Sequence, residues 1–100
     1  MRSENRKIEG NFNLEYDLEL HGMVTGTITV LPGITLYLHG VCEKNLIVED
    51  DATVYVHGTV GGNLENHGGL VKVFGTVIGH IIDFSGSTII DKNAIINNKN

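Results

Sequence analysis

Leu18-Glu19-Leu20-His21-Gly22-Met23-Val24, Leu36-Tyr37-Leu38-His39-Gly40-Val41-Cys42 and Val54-Tyr55-Val56-His57-Gly58-Thr59-Val60 are three copies of one unit, evenly spaced at a period of eighteen. A fourth copy, Val71-Lys72-Val73-Phe74-Gly75-Thr76-Val77, follows at a step shorter by one, and Ile28, Leu46, Leu64 and Ile81 extend the match downstream. Fixed-period self-similarity of this kind is the mark of a repeat architecture, in which each unit buries its apolar face only by stacking on its neighbours.

Within a unit the apolar period is two. From Leu18 to Leu64 the even positions are nearly all aliphatic or glycine, with Lys44 and Asp50 the charged interruptions. Such alternation buries one face of a strand. It runs far beyond the five or six residues of an ordinary strand, so the chain must turn corners while keeping the same face inward. Corners are expected at Pro32-Gly33, Asp50-Asp51 and Gly68-Gly69, and at the glycines Gly22, Gly40, Gly58 and Gly75. The shortened step before the fourth copy places a one-residue deletion near Gly68-Gly69, where the inward positions change from even to odd: Val71, Val73, Val77, Ile81.

These features predict an all-β, single-domain β-solenoid with about 18 residues per turn. Eighteen is three sixes, which gives a triangular β-helix whose turns stack about 4.8 Å apart. The absence of a regular small residue after each aliphatic one favours right-handed winding. The repeats are assigned to residues 18–86. Ile8–Asp17, where Phe12, Leu14 and Tyr16 keep the alternation, is expected as one strand capping the first turn. Residues 87–100 are expected as a last incomplete coil, with Ile89, Ala94 and Ile96 inward, followed by a polar tail from Asn97.

Composition supports this reading. The chain has 100 residues, enough for one domain, with 13 glycines, one proline and no tryptophan. Its net charge of −5 repels nucleic acid and anionic lipid, so neither is expected as a partner. Arg2, Arg6 and Lys7 have no apolar run behind them, so neither a secretory signal nor a membrane span is expected there. Cys42 is the single cysteine and stands on the inward spine. With no disulfide framework, a cytoplasmic location is expected.

The glycine-flanked units resemble the bactofilin family of polymer-forming bacterial cytoskeletal proteins. The resemblance rests on a G-x-V-x-G-x-I/L pattern, seen as Gly22-Met23-Val24-Thr25-Gly26-Thr27-Ile28, Gly58-Thr59-Val60-Gly61-Gly62-Asn63-Leu64 and Gly75-Thr76-Val77-Ile78-Gly79-His80-Ile81. The second unit has Cys42 and Lys44 in place of the valine and the second glycine. The resemblance implies a right-handed β-helix that assembles end to end into filaments without nucleotide.

Inward residues build the fold, so function is sought on outward residues and open ends. Stacked in register, His21, His39, His57 and Phe74 form one column and Tyr37 and Tyr55 its neighbour, a candidate protein-contact face. Three imidazoles in a straight row do not converge on one point as zinc requires, so a side-chain ladder is expected rather than a metal site. Glu43, Glu49, Asp50, Asp51 and Glu65 form a candidate acidic patch. No paired carboxylate or nucleophile motif stands out, so neither catalysis nor a cofactor or small-molecule substrate is expected. The leading expectation is a structural protein that self-associates or polymerises through its ends. The alternative is a small acidic antidote or immunity-type protein that neutralises a protein toxin through a side face.

Overall fold

The computed structural model describes residues 1–97. They fold into fifteen strands: β1 Arg2–Glu4, β2 Lys7–Ile8, β3 Phe12–Leu14, β4 Leu18–Leu20, β5 Met23–Val24, β6 Ile28–Val30, β7 Thr35–Leu38, β8 Val41–Cys42, β9 Leu46–Val48, β10 Thr53–Val56, β11 Thr59–Val60, β12 Leu64–Val73, β13 Thr76–Val77, β14 Ile81–Ile90 and β15 Ile95–Ile96. Every pairing is parallel and joins a strand to its counterpart one turn away. The result is a β-solenoid of about six turns, averaging about 17 residues each.

Three ladders run along it. The first stacks β1, β4, β7, β10 and the C-terminal parts of β12 and β14. The second stacks β2, β5, β8, β11, β13 and β15, and the third β3, β6, β9 and the N-terminal parts of β12 and β14. The two long strands, β12 and β14, bend from the third ladder into the first without a break.

The turn length varies where the repeat is imperfect. Leu18 pairs with Leu36, Leu36 with Val54 and Val54 with Val71, so two equal steps are followed by one that is a residue shorter. The short step is made between Asn66, which pairs with Val48, and Leu70, which pairs with Thr53. The expected deletion at Gly68-Gly69 is therefore where the ladder loses its residue. Inward aliphatic side chains from Leu14 to Leu64 and from Val71 to Val77 are buried in the expected even and odd phases, with Ile34 half-buried at a corner.

Both ends differ from expectation. Ile8–Asp17 is not one capping strand: β1, β2 and β3 together make a complete first turn, with Arg2 pairing to Leu18, Lys7 to Met23 and Phe12 to Ile28. This turn escapes the pattern because the positions above Leu18 and Leu20 are Arg2 and Glu4. At the other end Ile89 points out, not in: it lies over Lys72, while Thr88 and Ile90 lie over the buried Val71 and Val73. Phe84 is inserted as a bulge between the partners of Asn66 and His67, and the ladder is one residue short again by Leu70, which sets the phase. Ala94 and Ile96 pack against the core as expected. Beyond Asn97, the expected polar tail lies outside the described residues.

Two polar devices hold the corners. Between the second and third ladders, the side-chain oxygen of one turn accepts the backbone N–H of the next: Asn11 from Thr27 at 2.9 Å, Thr27 from Asn45 at 3.4 Å, Asn45 from Asn63 at 2.9 Å and Asn63 from His80 at 2.9 Å. Between the third and first ladders, four successive turns place a residue in the left-handed region: Gly33 (φ 77°), Asp51 (62°), Gly68 (139°) and Gly86 (84°). Asp51 is the one with a side chain, in a conformation that crowds a Cβ. Asp51→Gly is therefore expected to raise stability by about 0.5 kcal/mol and Asp51→Val to lower it by more than about 1 kcal/mol, read from urea midpoints.

Candidate functional site

The repeating His-Gly pairs bring the predicted face together on one corner. His21 and His39 stack at 4.6 Å between ring centroids, His39 and His57 at 5.1 Å, and His57 and Phe74 at 4.9 Å. Their planes lie within 10° of parallel. Tyr37 and Tyr55 stack alongside at 4.7 Å on the outer surface of the first ladder. The four corner rings are exposed and the tyrosines half-buried. Stacking is possible because the following glycine lets successive turns approach: a Cβ on Gly40 or Gly58 would lie 1.8 or 1.9 Å from the carbonyl oxygen of the glycine one turn back.

This geometry limits the face's chemistry. Rings stacked along the coil cover one another's faces and present their edges to solvent. The interior rings therefore offer polar edges to a protein surface, but no flat face to a sugar or base. Among the described residues, no three His, Cys, Asp or Glu side chains are grouped to hold a metal ion.

The acidic residues divide among three places. Glu43 lies at the corner entering the third ladder, Glu49, Asp50 and Asp51 at the corner leaving it, and Glu65 on its outer face. Glu65 is 3.3 Å from the His67 ring, which stacks on Phe84 at 4.4 Å. Beside Asp51 an open groove of about 370 Å³ follows the line of the deletion, with Thr53, Gly68, Gly69 and Ser87 in its walls.

Two core residues carry polar atoms. Cys42 is buried, and its thiol donates to the carbonyl of Asn45 at 3.2 Å. Burial pushes the thiol's pKa up, so it is an unreactive core residue. Asn66, which the alternation does not single out, is the buried polar side chain of the core. Its Oδ1 accepts from the N–H groups of Gly68 and Gly69, and its Nδ2 donates to the carbonyls of Gly69 and Ser87 and to the Thr88 hydroxyl. It ties the shortened corner to the last turn.

The two ends of the coil contrast. At the N-terminal end Arg2 lies over the Tyr16 ring at 4.2 Å, and Glu4 pairs with Arg6 at 2.9 Å. The hydrogen-bonded Arg6 guanidinium holds the Glu4 carboxyl down at about 2, from an ordinary 4.5. A lowered folded value contributes stability that is present above pH 4.5 and lost as the pH falls toward 2. The effect is small, because Arg6 stands in solvent. NMR shifts of β1 and β2 are expected to change in that window ahead of global unfolding. In the last two turns, Phe74, Ile78, Phe84, Ile89, Ile90 and Ile95 are all exposed; elsewhere among the described residues, Met1 is the comparable exposed apolar side chain.

The fold is thus a parallel β-solenoid of the kind that β-helix repeat families share. No family model, curated protein or solved structure matches the chain. Among the described residues no helix is long and apolar enough to cross a membrane.

Proposed function

We propose that this is a non-enzymatic structural protein, a bactofilin-like β-solenoid that works in the cytoplasm by self-association through an open coil end. One observation carries the reading: among the described residues, six of the seven exposed large hydrophobic side chains fall between Phe74 and Ile95, in the last two turns. Phe84, Ile89 and Ile90 lie in β14 itself, which pairs with β12 alone in the sheet. A long unpaired strand edge beside apolar side chains is a template for another chain. The G-x-V-x-G-x-I/L spacing adds the resemblance to a polymer-forming family.

Sedimentation velocity over a wide concentration range tests this. The protein is expected to associate, and Phe84→Glu with Ile95→Glu is expected to leave a folded monomer. A wild-type protein that stays monomeric at high concentration would overturn the reading. It would favour the second one, an antidote-type protein that binds its partner through the His21–Phe74 and Tyr37–Tyr55 face. That alternative draws on the aromatic stack exposed along one side of the coil.

A further inference from the structure

We infer that the coil associates by one end only, C-terminal end to C-terminal end, so that growth stops at a closed pair. This rests on the end-association reading above and adds its polarity. A filament needs the N-terminal end of one copy to continue the core and ladders of the next. The first turn is poorly suited to that. In the first ladder it sets Arg2 and Glu4 above the buried Leu18 and Leu20, while in the other two Ile8 and Phe12 lie over Val24 and Ile28. Extending the coil there would bury a guanidinium and a carboxylate against an apolar end, at a cost well above what one new turn of contacts returns. Its edge is also broken into three short strands, whereas β14 is one ten-residue strand from Ile81 to Ile90 that carries the Phe84 bulge.

The C-terminal end carries one inward charge, Asp83, which lies over Asn66 and accepts from the Thr88 hydroxyl; its other inward positions are uncharged. The positions lying over buried Val71, Val73 and Val77 are Thr88, Ile90 and Ile96, and Ile89 and Ile95 stand exposed on the rim. The chemistry that matches such an end is a second copy of itself. A two-fold axis across the end brings β14 against its counterpart in antiparallel register. Each copy then supplies the edge the other lacks, and no further copy can add. Inward charges at the opposite end are a recognised way for a sheet to refuse edge pairing.

The test is a spin-label distance measurement on the full chain, with labels at Ser87→Cys or Ser3→Cys. Both serines are exposed and Cys42 is buried. Six turns at about 4.8 Å make each coil roughly 29 Å long, so the pair should hold the two Ser87 labels within about 20 Å and the two Ser3 labels about 50 Å apart. Sedimentation should reach a ceiling at twice the monomer mass. Growth beyond two copies, or the same spacing of about one coil length at both positions, would overturn the closed pair while leaving end association standing. A monomer at every concentration would overturn both.

Discussion

Gly58→Ala is expected to abolish the fold. A Cβ at this position would sit 1.9 Å from the Gly40 carbonyl oxygen and 2.7 Å from that of His39, both main-chain atoms of the turn before. Neither can move aside without breaking the ladder that Thr59 N–H to Gly40 at 3.0 Å and Gly58 N–H to Leu38 at 2.8 Å hold in place. The turns would have to separate by more than an ångström over the whole first-to-second corner. That loss is about 4 kcal/mol or more, a large share of the roughly 5–15 kcal/mol that holds a typical domain together. Circular dichroism should show an unfolded or aggregated chain. Gly33→Ala is the contrast: a Cβ there meets nothing within 4 Å, and the cost is the left-handed φ alone, about 1–2 kcal/mol.

Asn66→Ala is expected to cost about 3 kcal/mol and to loosen the last turn before the rest. The side chain joins the N–H groups of Gly68 and Gly69, at 3.1 and 2.8 Å, to the Gly69 and Ser87 carbonyls and the Thr88 hydroxyl, each at 3.1 Å. Alanine leaves buried donors and acceptors without partners, at about 1–3 kcal/mol for each that water cannot reach. Urea unfolding gives the total. Amide exchange should show β14 opening at lower energy than β7 or β10. If the loss is spread evenly over all turns, Asn66 has no special hold on the C-terminal end.

The middle of the coil is legible in the chain because inward positions there are aliphatic and alternate strictly. Gly68-Gly69 can be located as the deletion because the phase changes around it. The first turn is concealed for a physical reason: Arg2 and Glu4 stand at inward positions at an end, where solvent and the Tyr16 and Arg6 partners make charge tolerable. Ile89 defeats the alternation because the Phe84 bulge is compensated within a few residues, and aliphatic residues at both 89 and 90 fit either phase. Asn66 and the Asn11, Thr27, Asn45 and Asn63 ladder stabilise through hydrogen bonds to the main chain one turn away, a relation that only the register reveals. For the site, the stacking of His21, His39, His57 and Phe74 follows directly from the repeat. The contrast between Arg2 and Glu4 over Leu18 and Leu20 at the first end and Thr88 and Ile90 over Val71 and Val73 at the last does not, since it depends on knowing which residues have a turn above them.

If the C-terminal end, rather than either side face, is the working surface, amide hydrogen exchange of the full chain shows it most directly, compared at low and high protein concentration. The expected result is added protection at high concentration confined to β14 and β15, where half the strand's N–H groups face outward along the free edge. Protection that appears instead on the His39–Tyr37 side, or at β1 to β3, or nowhere at any concentration, would contradict it.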